Sequence, residues 1–577
     1  MSELTERLGD LPFFKSFLPE SLELLAERGE WFSLAGGSEL FHQGADADWM
    51  YFVLTGRLIV VRESDAGQEV IGYVRSGEPV GEQSVLVGEP HSASVFALRD
   101  AQILGVRRDE AERLMAQCPC FSAALAKAVA TRARHPNASF MSSSPRVFAL
   151  ISSSPSIDIE AYAKELRATI MRHGKTVAVL TTPETLSEEA FEALEAAHDV
   201  VILTARVGES DGYRFVLRHA DRIFVFARRD ARPPRPFPLS PGEDSPARKF
   251  RLVDIVVLEE GLPTGSIADW VDAVDAHRVF RISGPYTQQR LGRAIAGRTV
   301  ALVLSGGGAR AYAHIGAVRA LRERAVPIDF VSGASMGAII AACVAMGWDD
   351  EEIEARIRDA FVASNPLGDH VLPVVALTGG ERVEERLKRH FGDTLIEDLA
   401  IPFFCVSSEL TRGAPVVHRR GLLRDALRAT IAIPGILPPV VRGGDLLVDG
   451  AVMNNFPTDL MTNMHRGVTI GVDVARVGTI TPDAFVDPPG FFTWVAQHGF
   501  STAPPIVSLL MRTATARQEL RHADSPPDLL IAPDVPGVEL RDWKLYDLAV
   551  ADGYAAAIRE IDANWGLLTP IVAPDQM

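Results

Sequence analysis

Ser335 lies in Gly333-Ala334-Ser335-Met336-Gly337, just after the mostly apolar run Ile328–Val331. Between a strand and a helix, Gly-x-Ser-x-Gly forms a nucleophile elbow, whose small flanking residues permit the sharp turn that lifts the hydroxyl to the sheet edge. Upstream, Ser305-Gly306-Gly307-Gly308-Ala309-Arg310 follows an expected strand at Thr299–Leu304 and opens another helix. Acyl transfer builds negative charge on the ester oxygen, and backbone N–H groups at a helix N-terminus are suited to receive it. Gly306, Gly307 and Gly308 let the backbone approach that oxygen with no Cβ in the way. Far downstream, Val448-Asp449-Gly450-Ala451 places an acid at a strand end. A nucleophile, a donor loop and an acid are the parts of a serine hydrolase.

Each motif also has a commonplace counterpart. Gly306-x-Gly308-x-x-Ala311 fits a relaxed dinucleotide fingerprint, but that reading wants an acid at the end of the next strand. The next strand instead runs into the Ser335 elbow. A phosphate-binding P-loop is excluded because no Gly-Lys-Ser/Thr follows the glycines. An Asp before Gly is often only a turn residue. For the base, His465, His498 and His522 follow Ser335 in the chain order of α/β-hydrolases. Asp449 is their rival, and spacing alone leaves the choice open.

The elements that hold these residues belong to a multidomain α/β chain. Its 577 residues exceed what one core supports. From residue 1 to about 135, a helix near Pro19–Arg28 precedes short β runs at Ser38–Phe41, Trp49–Leu54, Arg57–Arg62, Val70–Val74 and Ser94–Leu98. Gly44, Gly56, Gly67 and Gly77 punctuate them as in a small antiparallel barrel. Helical patterning returns over Arg108–Arg132, and Arg134–Pro145 reads as a linker. Over 146–290, strands alternate with helices, which implies a parallel α/β sheet. The proline-rich stretch Arg229–Ser245 within it reads as an exposed loop. A second α/β domain, 295–577, carries the hydrolase motifs.

Composition narrows the partners. Acids outnumber bases, 75 to 58, for a net charge of −17. No nucleic acid is expected as a partner of so acidic a surface. Cys118, Cys120, Cys343 and Cys405 are too scattered for a disulfide framework, and Cys118-Pro119-Cys120 lacks zinc spacing. No metal or cofactor is expected. The N-terminal residues show no signal peptide, and a cytoplasmic protein is expected. The uncharged run Phe330–Trp348 contains the elbow, so a buried strand, turn and helix explain it better than a membrane span. Pro488–Val495 holds an aromatic cluster of the kind that touches a membrane surface, although core packing or a lid is the commoner use. Arg424–Val441 is expected to line an acyl pocket.

With those residues in view, Gly297–Val474 resembles a patatin-like phospholipase domain. The match runs through Gly306–Arg310, His314-Ile315-Gly316, Gly333–Gly337, Ala432-Ile433-Pro434-Gly435 and Asp449-Gly450. The resemblance implies a Ser–Asp dyad without histidine, with Ser335 as nucleophile and Asp449 as base. It places Gly306, Gly307, Gly308 and Arg310 around the oxyanion. Ala311 stands where the family usually has Gly. Because a carboxylate of ordinary pKa is a weak base, Asp449 is expected to be buried and within hydrogen-bond reach of Ser335.

Leu40–Gly44, Met50–Val53, Gly81-Glu82 and Gly88–Val95 together resemble a cyclic nucleotide-binding domain. The resemblance implies Gly81, Glu82, His91 and Ser92 as the nucleotide site. His91 stands where the family has Arg, and neutral imidazole offers no bidentate phosphate clamp. That leaves cyclic nucleotide binding open and favours a structural or protein-contact role. The order of barrel, α/β spacer and hydrolase, with Gln289–Gly297 before the catalytic strand, resembles the neuropathy target esterase family. The resemblance implies lysophospholipid or phospholipid as substrate, with contact at a membrane periphery. The rival reading is an inert sensor or binding protein with a retained patatin fold.

Overall fold

In a computed structural model, the described residues are 3–475 and 525–572, without 12, 16, 65–66, 135–144, 209, 236, 239–251, 260–264, 364, 372–373 and 463, and with 493 and 496 besides. Phe491, Phe492 and Trp494 of the aromatic cluster, His498, His522, most of the expected linker and part of the Arg229–Ser245 loop lie outside them. The chain divides into two compact units, Met1–His277 and Arg278–Met577.

In the first unit, strands Glu30–Leu34, Glu39–Phe41, Trp49–Ser64, Gly67–Arg75, Pro79–Val80 and Ser94–Arg107 form an antiparallel sheet. Trp49–Leu54 and Arg57–Arg62, expected as separate strands, are one. Gly56, at φ 85°, is not a turn between them. It sits in a bulge where pairing with Ser94–Arg107 shifts register, and a Cβ there would run into the backbone of Asp100 and Ala101. The bulge bends both long strands without ending either. The alternating segment builds a parallel sheet ordered Leu252–Leu258, Arg222–Arg228, Val147–Ser152, Val200–Arg206, Val177–Leu180. Barrel side chains reach it: Arg57 Nη1 donates to Asp221 Oδ2 at 3.2 Å and Arg99 Nη2 to Glu195 Oε1 at 2.7 Å, with both arginines buried.

The second unit is an eight-stranded sheet whose central strands are parallel. Thr299–Leu304 lies between Gly467–Val472 and Phe330–Ala334; Phe403–Glu409 follows, and Asp445–Asp449 pairs antiparallel to it. These strands are apolar almost throughout because helices cover both faces. Helix Ala313–Glu323 crosses Tyr546–Ala563 so closely that a Cβ on Gly316 would strike Val550 O, and one on Gly553 would strike Ala313 O. That crossing explains the glycine of His314-Ile315-Gly316. Arg293, on helix Pro285–Ala296, donates to buried Asp329 through Nε at 2.9 Å and Nη2 at 2.7 Å. Asp329 also accepts from Val300 N, so this pair ties helix and neighbouring strand to the start of the strand that ends at the elbow.

Candidate active site

Two registers bring the site together. Leu304 pairs with Gly333, so the glycine loop and Ser335 emerge side by side at the carboxyl edge of the sheet. Ala334 pairs with Val406, and the next residue, Ser407, pairs with Asp449. Asp449 therefore ends level with Ser335, one strand removed. Ser335 opens helix Ser335–Ala345 at φ 52°, the left-handed region that a non-glycine residue occupies only at a cost of roughly 1–3 kcal/mol. The flanking glycines permit it: a Cβ on Gly333 would lie 2.8 Å from Leu304 O, and one on Gly337 would strike the Leu304 and Ser305 carbonyls.

Ser335 Oγ donates to Asp449 Oδ2 at 2.6 Å. Asp449 is 0% exposed, and its Oδ1 accepts from Ala451 N at 2.8 Å. Loss of hydration pushes its carboxyl up to about 7, against the opposing pull of the Ser335 and Ala451 hydrogen bonds. A carboxylate there is half protonated near neutral pH and can both take and return a proton.

Residues outside the sequence-based site support this pair. Thr430 Oγ1 accepts from Ser335 N at 3.0 Å and itself donates to Val406 O. Ala432 O accepts from Asp449 N at 2.9 Å. Part of Arg424–Val441 thus braces the pair from behind. Its Arg428, Pro438, Pro439, Val440 and Val441, with Leu447, line an open groove of about 830 Å³. Thr430 and Asn455 carried no local sequence signal, because Thr at a helix end and Asn in a loop usually serve the backbone.

The glycines divide in their roles. The Gly306 N–H is committed to Asn455, at 3.2 Å from its backbone O and 3.1 Å from Oδ1, so it is not the open donor expected. Among the described residues, the Gly307 and Gly308 N–H groups have no acceptor. Arg310 sits in the turn Gly308–Tyr312, its N–H bonded to Gly307 O at 3.3 Å. Ala311 is fully buried, and its methyl packs in the core. Gly308 has φ 57°, and a Cβ on it would strike Leu540 O. Gly308→Ala is expected to lower stability by at least about 1 kcal/mol, seen as a lower midpoint in thermal unfolding, and to depress turnover with it.

The histidines lie elsewhere. His465 is buried between Thr299 Oγ1 at 3.1 Å and Thr469 Oγ1 at 2.9 Å, at the opposite end of the strand from the glycine loop. His314 is buried beside the loop, but its Nε2 bonds Ser305 O at 2.8 Å, and burial pushes its pKa down to about 4. Among the described residues, no histidine bonds Ser335 or Asp449.

In the first unit, Gly81 takes a left-handed turn at φ 79° into helix Glu82–Val87, and Glu82 is buried. The His91 ring stacks on Phe41 with centroids 3.8 Å apart, and a Cβ on Gly81 would lie 3.2 Å from its Cε1. Burial lowers the His91 pKa, which disfavours a cationic contact. Ser92 is exposed. Gly81 and His91 meet, but an aromatic stack stands where a phosphate clamp would.

A strained serine at a sheet edge beside glycine amides, bonded to a buried aspartate and, among the described residues, to no histidine, fits the class of the patatin-like phospholipases, which hydrolyse lipid esters. The patatin-like phospholipase family model matches residues 302–462, and the cyclic nucleotide-binding domain model matches residues 31–118. An uncharacterized NTE family protein of Mycobacterium tuberculosis is 32% identical, with 96% of each chain covered. The chain belongs to the NTE family. Patatin-like phospholipase domain-containing protein 6 of Homo sapiens is 25% identical over 77% of this chain and 37% of its own length. Lysophospholipase nte1 of Neosartorya fischeri is also 25% identical, over 94% of this chain and 42% of its own. Among the described residues, no helix is long and apolar enough to cross a membrane.

Proposed function

We propose that the chain is a lysophospholipase-type serine hydrolase working through a Ser335–Asp449 dyad. Ser335 Oγ attacks the ester carbonyl carbon while its proton passes to Asp449 Oδ2. The Gly307 and Gly308 amides receive the oxyanion. Collapse breaks the ester C–O bond, and the departing alcohol takes the proton from Asp449. Water then attacks the acyl-serine, Asp449 accepts its proton, and fatty acid leaves as that proton returns to Ser335. The observation that carries this reading is the 2.6 Å bond between the strained serine and a carboxylate with no exposure.

The substrate class rests on the family and on the lysophospholipase name of the Neosartorya relative. The groove near the pair mixes apolar residues, Pro438, Pro439, Val440 and Val441, with charged ones, among them Lys388, Arg428, Glu381 and Glu384, a lining compatible with an amphiphile. The barrel serves as a structural partner of the parallel sheet, an assignment supported by the buried Arg57 and Arg99 pairs and the His91–Phe41 stack. The purified 577-residue chain is expected to release fatty acid from a lysophospholipid, at a rate unchanged by added cyclic AMP or GMP. No release from lysophospholipid, phospholipid or short acyl ester would favour an inert binding protein instead.

A further inference from the structure

Three consecutive glycines have too much conformational freedom to hold two amides on a developing charge by themselves. Something outside the loop must fix it. Asn455 is 7% exposed and grips one residue from both sides: its Oδ1 accepts from Gly306 N at 3.1 Å, and its Nδ2 donates to Gly306 O at 3.1 Å. Its own backbone O accepts from the same N–H at 3.2 Å. A Cβ on Gly306 would collide with Asn455 Oδ1 and lie 2.9 Å from Ser335 Cβ, so clamp and nucleophile enclose this glycine. A side-chain amide presents a donor and an acceptor together to the C=O and N–H of one residue at every pH, which a carboxyl does only when protonated.

We propose that Asn455 is a positioning residue for the oxyanion loop, holding Gly306 so that the Gly307 and Gly308 N–H groups face the ester oxygen. This rests on the reading of Ser335 as nucleophile. The clamp and the base arrive on one short segment. Asp449 Oδ1 caps Ala451 N, Asn454 N bonds Gly450 O at 2.9 Å, and Asn454 Nδ2 bonds Asp459 Oδ1 at 2.9 Å. From the other side, Ser305 is fixed through N to Val472 O at 3.1 Å, through Oγ from Val474 N at 2.9 Å, and through O to His314. Loop and base are thereby set relative to each other before substrate enters.

The test is Asn455→Asp, nearly identical in size, assayed on a short acyl ester. An ionised carboxyl there accepts from Gly306 N–H but has no proton for Gly306 O. The expected result at pH 8 is a kcat lower by about 10²-fold, the usual cost of an oxyanion donor. KM should stay within about twofold, because the contact acts in the transition state. On lowering the pH toward 5 the introduced carboxyl protonates and can donate again, so the ratio of variant to wild-type kcat should rise. The ionisable groups around it are Asp449, His314 beyond Ser305, and Asp459 beyond Asn454. An ionised carboxyl introduced nearby can only raise the Asp449 pKa, which lowers the variant's turnover as the pH falls, and His314 is neutral over this range, so a rising ratio reports the introduced group gaining its proton. If that variant does not fold, Asn455→Ser should show the same kcat loss at unchanged KM. A kcat within about threefold of wild type, a loss confined to KM, or a ratio flat from pH 5 to 8 would overturn the proposal while leaving the dyad standing. Full turnover in Ser335→Ala would overturn both.

Discussion

Ser335→Ala is expected to lower ester turnover by roughly 10⁴-fold or more, since removing the nucleophile leaves only binding and the oxyanion cradle. The fold should survive. Alanine keeps the Cβ, so the left-handed backbone at φ 52° is no more strained than before. What changes is the environment of Asp449, which loses the hydroxyl donor at 2.6 Å and keeps the Ala451 N–H at 2.8 Å. Removing a donor from a buried carboxylate moves its pKa further up, so the variant holds this proton at neutral pH. A fluorophosphonate probe reads the first effect, because only an activated serine reacts. Labelling of wild type and none of Ser335→Ala is the expected pattern; equal labelling of both would place the nucleophile elsewhere. Thermal unfolding within a few degrees of wild type would show that the loss is chemical.

The second large effect is the dependence of turnover on the charge of Asp449. A base at Asp449, as proposed, works only when ionised, and burial holds that carboxyl at about 7. Below that value the fraction ionised falls tenfold per pH unit, and above it the fraction levels off. The profile of kcat/KM should therefore climb with unit slope through the acid range and flatten above about 7. Asp449→Asn preserves shape and a hydrogen-bond acceptor but cannot take a proton. It should cost about 10²–10⁴-fold, the usual contribution of general base catalysis. It should also abolish the acid limb. An unchanged limb in this variant would assign the ionisation to another group. His314 and His465, driven to about 4 and about 3 by burial, are neutral through this window and would not produce it.

Local chemistry was legible wherever short-range sterics set the structure. Gly333, Ser335 and Gly337 announce their turn because few other residues fit one that tight. Gly306–Gly308 announce a close approach for the same reason, and alternation of apolar strands with helical stretches announces the parallel sheets. His91, standing in an Arg position, disfavours a phosphate clamp from sequence alone, and its ring stacks on Phe41. Gly56 misled because a glycine at positive φ ends a strand or bends it, and only the partner strand decides which.

By itself, the sequence determined the kinds of groups available: an elbow serine, a glycine loop, a strand-end acid and a barrel without its arginine. The tertiary structure alone decided which of them meet. That Asp449 lies against Ser335 depends on strand register across Phe403–Glu409, and that its carboxyl is fully buried depends on the packing around it. Likewise, which glycine amides remain open depends on Asn455 reaching Gly306 from 149 positions away. Register and burial are sums over many distant contacts, whereas a tight turn is settled by its own few residues, and this is why one is written in the sequence and the other only in the fold.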